Sequence, residues 1–264
     1  VRLGPGVRVH SHAVLRGPLE IGARTEIYPL VCLGMPPQDV KFGKEDTTAG
    51  VVIGHDCILR EHVTVHASTS QTVPTRVGNH VFMMGSTHAA HDSEIGDRVT
   101  LVNGAGIAGH GVVGEGATFG GGAVMHQHVR VGRLAFISGG SAFSADCPPF
   151  CVLSGRNVLA GVNVVGMRRA GMSRSEITAV RRVFRELLRR NVSRDTLLAR
   201  LDEMSVEHPV LDEIARFVRT TKRGLCPGDT RPPAGFRAWL RAYSPGMGGV
   251  PEPLHADTAD SLDL

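Results

Sequence analysis

Aliphatic residues recur along this chain at every sixth position. From Leu3 the series runs Leu3, Val9, Leu15, Ile21, Ile27 and Leu33, and a second register gives Ile53, Leu59 and Val65. A third runs Val77, Met83, Ala89, Ile95, Leu101, Ile107, Val113, Phe119, Met125, Val131, Ile137 and Phe143, all apolar, until Pro149 ends it. Gly follows the apolar residue at Leu3, Ile21, Leu33, Ile53, Val77, Ile95, Val113 and Val131, several of these 18 residues apart. A helix cannot hold a period of six on one face, and a half-buried flat sheet shows a period of two. A parallel β-helix with three short strands per coil accounts for both intervals. Each aliphatic points into a triangular prism, and glycine supplies the backbone geometry of a tight turn.

Two polar stretches break the register and read as loops leaving the prism: GMPPQDVKFGKEDTTAG (34–50) and ASTSQTVPT (67–75). After Pro148–Pro149 the period changes. SRSEITAVRRVFRELLRR (173–190) opens with Ser173 and Glu176 in capping-box spacing. Ile177, Val180, Val183, Phe184, Leu187 and Leu188 then form one helical stripe. SRDTLLARLDEM (193–204) and EHPVLDEIARFVRTTKRG (207–224) predict two more helices. The expected organisation is a β-helix domain over 1–150, a linker and α-helical domain over 151–225, and a Pro- and Gly-rich disordered tail over 226–264.

Composition sharpens this picture in two respects. Of 264 residues, 33 are Gly and only 5% are aromatic, which suits a narrow interior filled by aliphatics. The net charge of +4 suits an acidic partner, and the arginines concentrate after residue 165. Five scattered cysteines without a Cys-x-x-Cys pair argue against a disulfide framework or a structural zinc site. No stretch approaches the ~18 apolar residues of a membrane span, and no signal peptide is recognisable, which points to the cytoplasm.

The prism gives the histidines their positions. Ala89, Ile107 and Met125, 18 apart, stack in one sheet at about 4.8 Å per coil. His88 and His91 flank Ala89, His110 lies three after Ile107, and His126 follows Met125. His66 joins them if the 67–75 loop is excised. A single histidine at a solvated corner is ordinarily inert; four along one edge point to a site. One chemistry is metal binding, with imidazoles a coil apart holding zinc with an open position. The other is general-base catalysis, since an imidazole titrates near neutrality and can take a proton from an attacking hydroxyl. Asp92 is placed either to orient an imidazole or to serve as a solvated corner residue.

QDVKF (38–42), HAAHD (88–92), IAGHGVV (107–113), VMHQHV (124–129), SADCPPF (144–150) and GVNVVGMRRAGMSRSEI (161–177) occur together and in this order. This set resembles the UDP-N-acetylglucosamine acyltransferases of lipid A biosynthesis, from about residue 3 through TTKRGL at 220–225. The resemblance implies a left-handed parallel β-helix of hexapeptide repeats followed by a small α-helical C-terminal domain, in a homotrimer with active sites between neighbouring prisms. It implies transfer of a 3-hydroxyacyl chain from an acidic acyl carrier protein to the 3-hydroxyl of a UDP-sugar, with no metal, cofactor or acyl-enzyme and no nucleic-acid partner. His91 matches the general base and the backbone N–H of Gly109 the oxyanion donor. His88, His110, His126 and Gln127 match substrate contacts. Gln38 and Lys41 match a loop reaching the nucleotide or acyl portion, and Asn163 and Arg169 match contacts to donor and nucleotide.

Taken singly, Lys41 reads as a solvated charge, Gln127 as a turn residue, Asn163 as a tie for the chain leaving the prism, and Arg169 as a surface arginine. Val165 stands where the family usually carries a glutamate, Ala170 replaces a basic residue, and His128 replaces an aromatic. The family's first coils have no match before Val1, and because an open prism end calls for a cap, a truncated or altered start is expected. The rival functions are a paralogue acylating another nucleotide sugar or its 3-amino analogue, a zinc enzyme of the carbonic anhydrase type using His66, His88 or His91, and a catalytically silent scaffold.

Overall fold

The computed structural model describes residues 1–229; the remainder of the tail expected from residue 226 lies outside the described residues. Three parallel sheets form the faces of a left-handed β-helical prism. The first face stacks strands such as Thr75–Val77, Glu94–Ile95 and Val112–Val113. The second stacks Phe82–Met83, Thr100–Leu101 and Thr118–Phe119, and the third stacks His88–Ala89, Gly106–Ile107 and Val124–Met125. The register is the 18-residue repeat itself: Val77 pairs Ile95, Met83 pairs Leu101, and Ala89 pairs Ile107.

All residues of the series from Val77 to Phe143 are buried, none more than 4% exposed. A second inward row lies two residues before each of them: Val81, Thr87, Ser93, Val99, Ala105, Ala117, Ala123, Val129, Ala135 and Ser141. These are mostly small, because the apex of a triangular section has room for little else. Leu3 and Val9, in the same phase, are 48% and 44% exposed, because no described coil stacks beyond the first.

The corners are built differently from the expectation for glycine. The positive φ recurs every six residues, at His80, Ser86, Asp92, Arg98, Gly104, His110, Gly116, Gly122, His128, Leu134 and Gly140. Most of these are not glycine, and of the Gly residues that follow the apolar series only Gly34 is in that conformation. They serve close approach between coils instead: a Cβ on Gly114 would lie 2.5 Å from Arg133 N, and one on Gly96 would lie 2.8 Å from Glu115 N.

The strand Cys151–Ser154 adds to the second face and turns back antiparallel through Val158–Val162. Four α-helices follow: α1 (Val164–Arg169), α2 (Arg174–Val183), α3 (Arg194–Ser205) and α4 (Val210–Arg219). The Ser173–Glu176 capping box starts α2, and a π-helical turn at Phe184–Leu188 extends it. Its predicted stripe from Ile177 to Leu188 is buried. Arg133 pairs with Glu213 at 2.9 Å, and the Arg130 guanidinium lies 4.3 Å over the Phe217 ring, fastening α4 to the last coils. Buried Asp146 then holds a strap. Its carboxylate accepts from Arg130 N at 2.8 Å and Thr221 Oγ1 at 2.7 Å. Its backbone exchanges hydrogen bonds with Gly224 and Cys226. Residues 226–229, expected to open the tail, pair with the body through Cys226, Pro227 and Gly228.

Phe119 is fully buried beside Phe143, with ring centroids 6.1 Å apart. Phe119→Ala should cost about 3–5 kcal/mol of stability in a denaturant titration. Thr118→Ser, one residue away and facing outward, should stay within about 0.5 kcal/mol.

Candidate active site

The histidines gather where the third face turns into the first. Residues 91, 109 and 127 form one row of this corner and residues 92, 110 and 128 the next. Asp92, His110 and His128 take φ of 59°, 57° and 62°. Backbone bonds lock the rows, His110 N to His91 O at 3.1 Å and His128 N to Gly109 O at 3.0 Å. Residues 18 apart therefore sit one coil apart at one edge.

His91 Nδ1 lies 2.7 Å from Asp92 Oδ2, and both side chains are only 12% and 11% exposed. Burial alone would raise the Asp92 pKa, but the hydrogen bonds from Ser68, His91 and Thr69 outweigh it and bring it down to about 2. The carboxylate is thus ionised and accepts at His91 Nδ1, so in the neutral ring Nδ1 carries the proton and Nε2 the lone pair. The ring lies across Gly109, where a Cβ would stand 2.7 Å from His91 Cε1 and 2.8 Å from Nε2. Any side chain at 109 would displace it. The Gly109 N–H takes no acceptor among the described residues, so it is free for an incoming oxygen.

His110 stands edge-on to His91, with centroids 5.4 Å apart, and stacks on His128 at 4.4 Å. Deeper in, His88 Nδ1 meets Thr64 Oγ1 at 2.7 Å, and His66 is edge-on to His88 at 5.1 Å. Burial, then the neighbouring His66 and His91, push the His88 pKa down to about 4, which keeps the ring neutral near pH 7. Burial first and His91 second lower His66 as well, and its Nδ1 has no hydrogen-bond partner. Burial and the facing His110 and Arg223 lower His128. Beside this corner, exposed His126 and Gln127 rim a groove of about 410 Å³, floored by Ala108, Val124, Met125, Ala142 and Phe143 and ending at Arg156 and Asn157.

The other expected residues stand apart. Gln38 and Lys41 are exposed on the 36–50 loop. That loop returns through Ala49 N to Ser70 O at 2.7 Å, onto the segment whose Ser68 and Thr69 hold Asp92. Asn163 caps α1, accepting from Gly166 N at 2.9 Å and donating to Leu134 O at 2.8 Å. Arg169 is exposed at the end of α1. Among the described residues, no hydrogen bond of these four reaches the histidines. Sequence reasoning did not assign Thr64, Ser68, Thr69, His128 or Arg223 to the corner. His128 was legible in the 18-residue step from His110; Arg223 had no spacing signal.

Ligand atoms of His91, Asp92 and His110 lie within 4.8 Å of one another, as do those of His55, Asp56 and His80, and neither group includes His66 or His88. The acceptor capacity of Asp92 is spent, and Asp56 is already paired with a cation. Asp92 is filled by Ser68, Thr69 and His91, and Asp56 is gripped by Arg24 at 2.7 and 2.6 Å. A buried His–Asp pair with such fixed donors suits proton transfer better than metal ligation.

Residues 146–226 match the family described as UDP N-acetylglucosamine O-acyltransferase, domain 2. The acyl-[acyl-carrier-protein]--UDP-N-acetylglucosamine O-acyltransferase of Azorhizobium caulinodans is 49% identical over 229 residues, 86% of this chain and 84% of that protein. Its counterpart from Thermodesulfovibrio yellowstonii is 38% identical over 86% of this chain and 88% of its own. Among solved structures, LpxA from Acinetobacter baumannii superposes with a TM-score of 0.80 at 29% identity, covering 85% of this chain and 88% of that one. The Arabidopsis UDP-N-acetylglucosamine acyltransferase gives 0.76 at 28%, covering 85% and 89%.

The buried histidines set a pH dependence for folding. The His88 pKa falls from 6.5 to about 4 in the folded chain. Between those values the unfolded chain binds the proton and the folded chain does not, so stability is lost as pH falls through that window. Asp92, lowered from 3.8 to about 2, continues the loss below it. The melting temperature should therefore drop from pH 6.5 to 4, and His88→Gln should flatten that slope.

Proposed function

The chain belongs to the acyl-[acyl-carrier-protein]--UDP-N-acetylglucosamine O-acyltransferases, and from that membership we infer that it catalyses their acyl transfer, the first step of lipid A biosynthesis. The acyl group leaves a carrier-protein thioester and joins the sugar 3-hydroxyl, and the chain transferred is a 3-hydroxyacyl chain. One observation carries the mechanism: the His91–Asp92 pair lies across Gly109, whose backbone N–H is free.

His91 Nε2 accepts the proton of the sugar hydroxyl as its oxygen attacks the thioester carbonyl carbon. Asp92 holds the ring in the required tautomer and stabilises the imidazolium. The Gly109 N–H donates to the oxyanion, and a residue without a side chain lets substrate approach that closely. The C–S bond then breaks, and the imidazolium returns its proton to the departing thiolate. A thioester is already activated, so the reaction calls on no metal or cofactor. Neutral His88, with His110, His126 and Gln127, surrounds the acceptor, and the groove floored by Val124 and Ala142 takes the acyl chain at about 0.8 kcal/mol per buried methylene.

The chain acts as a homotrimer in the cytoplasm, with each site completed by a neighbouring prism. Two features support the shared site: His110, His126 and Gln127 are partly or fully exposed at the corner, and the bonds of Gln38, Lys41, Asn163 and Arg169 do not reach it. Exposed arginines such as Arg168, Arg169 and Arg174 suit an acidic carrier protein. No described helix is long and apolar enough to cross a membrane.

Mass spectrometry of UDP-N-acetylglucosamine incubated with 3-hydroxyacyl carrier protein should show the O-acylated sugar. His91→Ala should lower turnover by about 10²–10⁴-fold. Gly109→Ala, by displacing the ring, should cost about 10²-fold with circular dichroism unchanged. Near-normal turnover in His91→Ala would sink the mechanism.

A further inference from the structure

The strap held by Asp146 carries Arg223 back from the end of α4 to the histidine corner. One nitrogen of its guanidinium, Nη2, lies 2.8 Å from Gln127 O and 3.2 Å from His126 Nδ1. A guanidinium donates and never accepts. His126 Nδ1 also lies 3.2 Å from Gln127 O, so the imidazole has a second arrangement available in which Nδ1–H donates to that carbonyl. The two arrangements exclude each other. With Arg223 in place, an Nδ1–H would face the N–H of a cation 3.2 Å away, a repulsion that the second lone pair of Gln127 O does not relieve. Arg223 therefore selects the form in which Nδ1 accepts and Nε2 bears the hydrogen.

We propose that Arg223 is a positioning residue that sets the tautomer of His126, so that His126 presents an Nε2–H donor at the rim of the groove. This rests on the reading of the groove and corner as the substrate site. The donor serves a substrate oxygen: an amide or thioester carbonyl, or a diphosphate oxygen. Among the described residues, the charged and titratable groups near His126 are Arg223 from the strap, His128 on the next turn of the same corner and Arg156 in the same groove, and its backbone N–H is taken by Phe143 O at 2.9 Å. Asp146 ties Thr221, Gly224 and Cys226 of the strap to the last coils, so the device joins the helical part of the chain to the prism.

The test is long-range ¹H–¹⁵N correlation of ¹⁵N-histidine-labelled full-length protein, with His126 assigned by the loss of its signals in His126→Gln. The neutral wild-type ring should be the Nε2–H form. Arg223→Met keeps the aliphatic stem and removes the donors, and should populate the Nδ1–H form; Arg223→Lys should retain Nε2–H. In the acyl-transfer assay, Arg223→Met should raise KM about tenfold for the substrate whose oxygen is bound, with kcat changed less and Lys restoring part of the loss. Whether KM rises for the nucleotide sugar or for the acyl carrier identifies that oxygen. In a His126→Gln background, whose amide donates without a tautomer choice, Arg223→Met should add less than about twofold. An Nδ1–H wild type, an unchanged tautomer in Arg223→Met, or an equal loss in both backgrounds would overturn the proposal. A wild type without turnover would overturn the functional reading, and the tautomer measurement would still decide this one.

Discussion

Backbone hydrogen bonds between successive coils set the spacing on which this protein depends. Each strand is only two or three residues long over most of the prism, so no strand is stable by itself. Stability comes from stacking, where each coil repeats the register of the last and, from Val77 to Phe143, each side chain of the apolar series lies on its counterpart 18 residues away. The same constraint makes a site possible. Three consecutive corners hold His91 with Asp92, Gly109 with His110, and Gln127 with His128 in rows one coil apart. No separate device is needed to bring these residues together.

That regularity alone does not make a corner reactive, as a near copy elsewhere on the prism shows. His55 Nδ1 meets Asp56 Oδ2 at 2.6 Å, and His80 stands edge-on at 5.0 Å, much as in the His91, Asp92 and His110 group. Three differences separate the two corners. Asp56 is bound by the Arg24 guanidinium, whereas Asp92 is held by the neutral donors Ser68 and Thr69 and leaves the local charge to the imidazole. The residue one coil on is Asn79, whose side chain caps His55 N at 3.0 Å; at the other corner it is Gly109, which leaves its own N–H open. The His55 side chain is 44% exposed against 12% for His91. A solvated, cation-neutralised pair has little of the electrostatic leverage that a desolvated one offers.

These contrasts explain what could be read from the chain and what could not. The period of six is a local, repeated signal, so the prism, its register and the clustering of His88, His91 and His110 followed from counting. The small inward row at Ala105, Ala117 and Ala123 escaped notice because small residues carry no hydrophobic signature, and the corner glycines were assigned the wrong task. Gly96 and Gly114 look like turn residues on the page; only the stacked neighbour shows that close approach is what they provide. Asp92 could be weighed as an orienting carboxylate, but its grip by Ser68 and Thr69 depends on how the 67–75 loop folds back, which has no period. Asn163 shows a task that the family match does not express: it caps α1 and ties to Leu134.

The helical region fits the same argument. A repeat can align side chains only along its own axis, so anything that must act across the corner has to arrive from outside the repeat. The 67–75 loop does this for Asp92 and the strap after α4 does it for His126, and both are aperiodic insertions anchored by polar bonds to the regular coils. The prism thus supplies position, while its interruptions supply the protonation states. A mutation in a strand should act mainly through stability, whereas one in an anchor of these two segments should change imidazole chemistry in a prism that remains folded.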